Sequence, residues 1–375
     1  MHKKRFIAVA LSVLALCAAL LPFKNARAEN EVSISAQSAV MLECSTNTVL
    51  YSKAAHEKLP MASTTKVMTA LVAIENGNLD EIVTTADEAY GVEGSSIYIS
   101  KNEKLSLRDL LYGLMLRSGN DAAVAIAIHI GGSADGFVAM MNKRAKELGA
   151  VNTHFANPNG LPNDSHYTTA YDLGLICSAA LKNEVFKTIV STQYHTATTG
   201  SVKRSMMNKN KLLWQYDGAI GIKTGYTEKA GKCLTFAAER DGMMIVGVVL
   251  NCPDMFPDSM ELMDYCFREY EMYTVVRKGT VIIRSQIDYA GALATFVTAS
   301  DINVPVKKSE GIKLTTNIKL NNKLSAPMYC GDRAGVLELY SGTRLIAQTG
   351  LVCSYDVAPS SIMHFFNRVI MQFAS

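Results

Sequence analysis

The chain has 375 residues, 49% of them hydrophobic and 19% charged, with 37 basic against 34 acidic side chains. This is the composition of a globular protein of two domains, or of one large domain with an appendage, and it excludes disorder on a large scale. It also excludes a basic nucleic-acid face. The net charge of +3 comes from the first 28 residues, which hold five basic and no acidic side chains, and without them the charge is −2.

Those first residues have a pattern of their own. His2-Lys3-Lys4-Arg5 is a basic head, Phe6 to Leu21 is almost wholly apolar, and Ala26-Arg27-Ala28 is a small-x-small site, which together predict a secretory signal peptide cut after Ala28. The apolar core is short for a membrane span and is broken by Pro22.

Beyond it, Val32 to Ala36 alternates, and Ser38 to Glu43 and Thr48 to Tyr51 predict a hairpin turning at Thr46-Asn47. Leu59-Pro60-Met61-Ala62 leads to Ser63-Thr64-Thr65-Lys66, and the apolar run Val67, Met68, Ala70, Leu71, Val72, Ile74 predicts a helix from Ser63 to about Gly77. On such a helix Ser63 and Lys66 share one face, so a hydroxyl and an amine lie side by side. An ordinary N-cap with a solvated lysine reads the same way. Ser95 to Tyr98 has the texture of a short strand, and Ser106 to Asp109 predicts a capping box before the apolar run Leu110 to Leu116.

The polar break Arg117-Ser118-Gly119-Asn120-Asp121 reads as a helix-helix turn with Asp121 as a cap, or as a turn that projects Ser118 and Asn120 into a cleft. Ala122 to Ile130 and Ser133 to Leu148 are helical, Asn157 to Pro162 is a loop, and Thr169 to Leu181 is again a helix. Helical segments between strand-rich ends predict an α lobe inserted into, or packed on, a sheet. The sheet resumes with Ala219 to Tyr226, Cys233 to Ala238 and Met243 to Leu250, the last two joined by an Asp241-Gly242 turn, and Pro257 to Tyr273 is a helix packing back on it.

From about Val275, short alternating runs at Thr280 to Ile283, Ile312 to Leu320 and Gly335 to Tyr340 predict a small β domain. In Pro359 to Ser375, Ile362, Phe365, Phe366, Val369, Ile370 and Phe373 fall on one helical stripe, which fits a docked helix or an in-plane membrane anchor equally. Seven cysteines follow the leader, scattered, without C-x-x-C or histidines at metal spacing. Most read as buried apolar residues, and a Cys330–Cys353 bridge stays open. No metal or cofactor is expected.

Ser63-x-x-Lys66, Ser118-Gly119-Asn120 and Lys223-Thr224-Gly225 occur in the order of the three motifs of penicillin-recognising serine acyl transferases, which the chain resembles. Asp217-Gly218-x-x-Gly221-Ile222 before Lys223, Tyr226-Thr227 after Gly225, Ala230-Gly231-x-Cys233-Leu234, Asn157 to Pro162 and His166-Tyr167-x-Thr169-Ala170-Tyr171-Asp172 make it similar to the low-molecular-mass D-alanyl-D-alanine carboxypeptidases from about Ala39 to Tyr273.

The resemblance implies an α+β penicillin-binding, β-lactamase-like transpeptidase fold, with an antiparallel sheet packed with a helical lobe and a small C-terminal β domain. The implied organisation is a leader over 1–28, a catalytic domain over 29–273, a β domain over 274–358 and the tail over 359–375. It implies Ser63 as nucleophile and Lys66 as its base, activated by burial and by the charge of Lys223. Ser118 is then the proton relay, and Asn120 holds the substrate amide. Lys223 and Thr224 receive the terminal carboxylate, Gly225 lets the substrate approach the strand, and the N–H groups of Ser63 and Tyr226 form the oxyanion hole. The implied substrate is the peptidoglycan stem peptide ending in D-Ala-D-Ala, with β-lactams as acylating inhibitors and an exported bacterial enzyme at the cell-wall face. The rivals are a β-lactamase of the same fold, for which Asn157 to Pro162 lacks the deacylating Glu, a DD-endopeptidase, and a non-catalytic wall-binding protein.

Overall fold

The structure, a computed structural model, describes residues 32–199, 202–311 and 313–360. The predicted leader over 1–28 and the predicted amphipathic stripe of 361–375 lie outside the described residues.

The chain opens on strands β1 (Ser38–Glu43) and β2 (Thr48–Lys53), followed by a 3₁₀ turn over Ala62–Thr65 and helix α1 (Lys66–Asn76). A short pair, β3 (Ile82–Thr84) and β4 (Lys104–Ser106), precedes α2 (Leu107–Tyr112) and a π-helical turn over Gly113–Arg117. Helices α3 (Asn120–Gly131), α4 (Ala134–Glu147), α5 (Ala170–Leu181) and α6 (Glu184–Ser191) complete the lobe. The hairpin β5 (Tyr194–Thr199) and β6 (Val202–Met207) and the single turn α7 (Leu212–Gln215) lead back to β7 (Ala219–Thr227), β8 (Gly231–Arg240), β9 (Met243–Leu250) and α8 (Met255–Glu269).

The five-stranded sheet has the order β2-β1-β9-β8-β7 and is antiparallel throughout. Its two ends come from opposite ends of the domain, so the helical lobe is an insertion between β2 and β7. Alternation along the strands buries both faces. Val40, Leu42, Val246 and Val248 face the lobe's core, where α5 lies against β1 and β9, while Met41, Leu234, Phe236 and Ile245 face α8. Gly247 is fixed by this packing, since a Cβ there would stand 2.2 Å from the Phe236 ring.

Two local signals act as the sequence predicts: Ser106 caps its helix by accepting from the Asp109 N–H, and Asp241-Gly242, both at positive φ, turn β8 into β9. Ser133 and Thr169 cap their helices in the same way.

Other expectations are corrected. Ser63 does not cap a helix: it lies in the 3₁₀ turn, and α1 starts at Lys66. Residues 32–37 form no strand, because Ser35 turns aside to give its N–H and hydroxyl to Asp258 at 2.7 Å each. Ser95 to Tyr98 is irregular, with Tyr98 at φ +60°. Asp121 lies inside α3, whose cap position is Gly119. The last helix ends at Glu269, where β10 (Tyr270–Val276) begins and pairs with β13 (Ile302–Lys307). β11 (Val281–Ser285), β12 (Ala294–Thr298), β14 (Thr315–Leu320), β15 (Arg333–Ser341) and β16 (Arg344–Cys353) form a second sheet over its own core of Phe296, Leu337, Leu339 and Leu351. Cys330 and Cys353 are both free thiols, one exposed and the other buried; Cys353 Sγ turns to the Tyr355 carbonyl.

Candidate active site

The turn that carries Ser63 is held in place from three sides. Ala62, just before it, sits at φ +48°, a strained geometry for a residue with a side chain. From one side the loop Asn157 to Pro162 presses its backbone on the turn: Gly160, at φ +88°, lies so close that a Cβ would stand 2.0 Å from the Ala62 carbonyl oxygen. From the other side β7 presents Gly225, whose Cβ would meet the Ser63 and Thr64 nitrogens at 3.1 Å. From beneath, Thr65 donates to the Ala62 carbonyl, and His166 Nε2 reaches Thr65 Oγ1 at 2.7 Å. The Ala156 N–H donates to His166 Nδ1, which fixes the proton on Nε2. Burial, with His154 and Lys66 nearby, holds that imidazole neutral, its pKa down at about 4.

Lys66 is fully buried at the first position of α1. Its Nζ lies 3.0 Å from Ser63 Oγ, 2.7 Å from Asn120 Oδ1 and 2.5 Å from the Asn159 carbonyl oxygen. Desolvation first, then the charges of Lys223 and Lys209, hold its pKa well below that of a free lysine, against a smaller pull upward from Asp121. A neutral amine has two N–H donors and one lone pair. Asn120 and Asn159 offer only acceptors, so the lone pair is left for the Ser63 hydroxyl. An ammonium would donate to all three oxygens, so it is the lowered pKa, not the contacts, that favours the base form a serine nucleophile needs.

Asn120 is placed by the loop before it. Its Nδ2 donates to the Glu93 carbonyl at 2.5 Å and its backbone N–H to the Ser95 carbonyl at 2.7 Å. The amide keeps a second N–H for a substrate. Asp121, almost fully buried, explains why that loop stays put: its carboxylate accepts from the N–H groups of Ile97, Ile99 and Ala122 and from the Ser96 hydroxyl. Ser118 ends the π-helical turn at φ +65°, and its αL geometry turns the chain sharply into α3.

Ser63, Ser118, Thr224, Gly225 and Tyr226 line one open cleft of about 640 Å³. β7 is the edge strand of the sheet, so alternate backbone groups along it face outward, free to pair with an added strand. Lys223 is buried beneath the cleft and donates to the Thr224 carbonyl at 2.8 Å. Burial, then the charge of Lys209, lowers its pKa to about 7.

The structure thus brings Ser63, Lys66 and Asn120 into one hydrogen-bonded cluster and places Ser118, Thr224, Gly225 and Tyr226 around the cleft above it. It gives roles to residues that the motifs contained without one, the Asn159 carbonyl, Gly160 and His166, makes Asp121 the anchor of the neighbouring loop, and adds Lys209, whose Nζ donates to Ser95 Oγ at the cleft wall. The run Asn157 to Pro162 was legible as a loop; that it supplies a carbonyl to a buried amine was not.

The sequence profile described as D-alanyl-D-alanine carboxypeptidase matches residues 24–254, well over half of the chain. The chain belongs to the D-alanyl-D-alanine carboxypeptidase family. A second profile, the C-terminal domain of penicillin-binding protein 5, matches residues 270–359. Within this carboxypeptidase family, the chain is 31% identical over 358 residues to D-alanyl-D-alanine carboxypeptidase DacF of Bacillus subtilis, covering 92% of each. It is 38% identical over 289 residues to a D-alanyl-D-alanine carboxypeptidase of Streptomyces, covering 71% of this chain and 99% of the relative. Among solved structures, penicillin-binding protein 5 of Haemophilus influenzae superposes with a TM-score of 0.69 at 28% identity, over 87% of this chain and 98% of the other.

Proposed function

We infer that this carboxypeptidase removes the terminal D-alanine of peptidoglycan stem peptides through an acyl-enzyme on Ser63, and that β-lactams acylate the same oxygen. The observation that carries this is the Lys66 amine, buried, 3.0 Å from Ser63 Oγ and with its pKa held well below that of a free lysine.

In the acylation step Ser63 Oγ bonds to the carbonyl carbon of the penultimate residue as its proton passes to Lys66 Nζ. The N–H groups of Ser63 and Tyr226 hold the oxyanion. The C–N bond then breaks, and Ser118 hands the proton from Lys66 to the leaving D-alanine nitrogen. In deacylation water gives a proton to Lys66 as its oxygen bonds to the acyl carbon, the bond from that carbon to Ser63 Oγ breaks, and Lys66 returns the proton to Ser63 Oγ. The substrate lies as an added strand on the free edge of β7, with its amide on Asn120 and its terminal carboxylate on Thr224 and the Lys223 charge.

The β-lactamase reading loses support at the loop 157–162, which turns a backbone carbonyl, not a carboxylate, to Lys66. Incubation with a synthetic pentapeptide ending in D-Ala-D-Ala tests the assignment: wild type releases D-alanine and Ser63→Ala does not, and release by Ser63→Ala contradicts it. Export to the cell-wall face, with 1–28 as leader and 359–375 as anchor, is carried by the sequence patterns. Deleting 359–375 is expected to release the protein from membranes, and unchanged fractionation refutes the anchor.

A further inference from the structure

The cleft holds more positive charge than one terminal carboxylate requires. Besides Lys209, its walls include Lys211 and Lys232, against a single acid, Asp254. None of the three lysines forms an ion pair among the described residues; Lys232 Nζ donates to the Pro253 carbonyl at 2.7 Å, Lys209 Nζ to Ser95 Oγ, and Lys211 Nζ lies 5.9 Å from the centre of the Phe256 ring. Some surface lysines elsewhere are matched to acids, as in Lys187–Glu239, Lys229–Asp164 and Lys307–Glu310.

The register shows where this charge lies. Lys232 on β8 stands opposite Tyr226 on β7, two residues past Thr224. A peptide added antiparallel on β7 with its C-terminus at Thr224 runs back past Tyr226, so its acyl-side residues reach the level of Lys232. Side chains directly opposite across two antiparallel strands share a face of the sheet, and a long lysine reaches over its neighbour. Phe256 and the largely exposed Tyr226 supply an apolar floor for a side-chain stem beside these amines. Lys209, by contrast, is tied to Ser95 Oγ.

We propose that Lys211 and Lys232 form a second anion subsite, which selects substrates whose residue before D-Ala-D-Ala carries a free side-chain carboxylate over the uncharged carboxamide form. The inference rests on the acyl-enzyme reading above and adds to it the charge class of the donor. The subsite is open to solvent, so its preference depends on salt.

Two synthetic peptides test it, N-acetyl-L-glutamyl-D-alanyl-D-alanine and its L-glutaminyl counterpart, which differ by one charge at nearly equal shape. D-Alanine release gives kcat/KM for each, with active enzyme counted by penicillin acylation. Wild type at low salt is expected to favour the glutamyl peptide by roughly fivefold, the scale of an exposed ion pair or two, and to lose most of that preference in high salt. The double variant Lys211→Gln/Lys232→Gln brings the ratio to near one, and Lys232→Glu inverts it. Equal cleavage of the two peptides by wild type, or a preference that survives the double variant, overturns the subsite alone. Release from neither peptide by enzyme that penicillin acylates overturns the D-alanine-releasing activity on which the subsite rests.

Discussion

Replacing Lys223 with methionine tests whether the site stores electrostatic strain. The side chain is almost completely buried, its one hydrogen bond among the described residues goes to the Thr224 carbonyl, and burial brings its pKa from 10.5 to about 7. In the unfolded chain the same amine titrates near 10.4. Between about pH 7 and pH 10.5 the unfolded state therefore binds the proton that the folded state has shed, and wild-type stability rises with pH across that window. At about 1.4 kcal/mol per tenfold change in proton affinity, holding this lysine costs wild type about 4 kcal/mol at pH 7, and nothing above the unfolded pKa. Methionine fills a similar volume without the charge and forfeits one hydrogen bond worth about 1 kcal/mol. Lys223→Met is expected to be more stable than wild type by about 3 kcal/mol at pH 7, with the gain shrinking steadily to nothing by pH 10. Urea unfolding of both proteins across this range measures it. A stability difference that does not change with pH, or a wild type that is the more stable at pH 7, refutes the reasoning. The same variant loses a cation next to Lys66, so the pKa of Lys66 rises and penicillin acylation becomes slower at neutral pH.

Gly160→Ala places a methyl group 2.0 Å from the Ala62 oxygen in a backbone at φ +88°, so either the loop or the Ser63 turn must move; acylation is expected to fall at least a hundredfold, read as the second-order rate with a fluorescent penicillin, while unchanged acylation removes the loop from the account. Asp121→Asn replaces an acceptor of three backbone N–H groups with an amide that accepts through one oxygen; thermal unfolding should show a loss of about 2 kcal/mol, with a larger loss of activity because Asn120 shifts with the loop. In free enzyme, kcat/KM for a carboxylate-terminated peptide should rise with pH as Lys66 loses its proton and fall again above about pH 7 as Lys223 loses its own; a profile flat through pH 9 contradicts the role given to the Lys223 charge.

The elements whose signals are local were legible in the sequence. The β1–β2 hairpin, the cap at Ser106 and the Asp241-Gly242 turn follow from turn and cap chemistry that depends on a few neighbouring residues. The three motifs were legible because they recur in order, and the structure brings Ser63, Ser118, Thr224 and Gly225 to one cleft, with Lys66 hydrogen-bonded to Ser63 and Asn120. What the sequence did not disclose is set by long-range packing. Ser63 looked like a helix cap because nothing nearby reveals that Gly160 and Gly225, about a hundred residues or more away, compress its turn from both sides. Asp121 looked like a turn residue because its partners, Ile97 and Ile99, come from an irregular segment over twenty residues earlier. The Lys66 environment includes the Asn159 backbone carbonyl, and a backbone acceptor leaves no mark in residue type.

The central claim is that Ser63 is the oxygen that accepts the acyl group. Mass spectrometry of the proteolysed protein after brief exposure to benzylpenicillin tests it most directly. A single penicilloyl adduct is expected on the peptide containing Ser63, absent from Ser63→Ala. An adduct on another residue, or labelling that persists in Ser63→Ala, contradicts it.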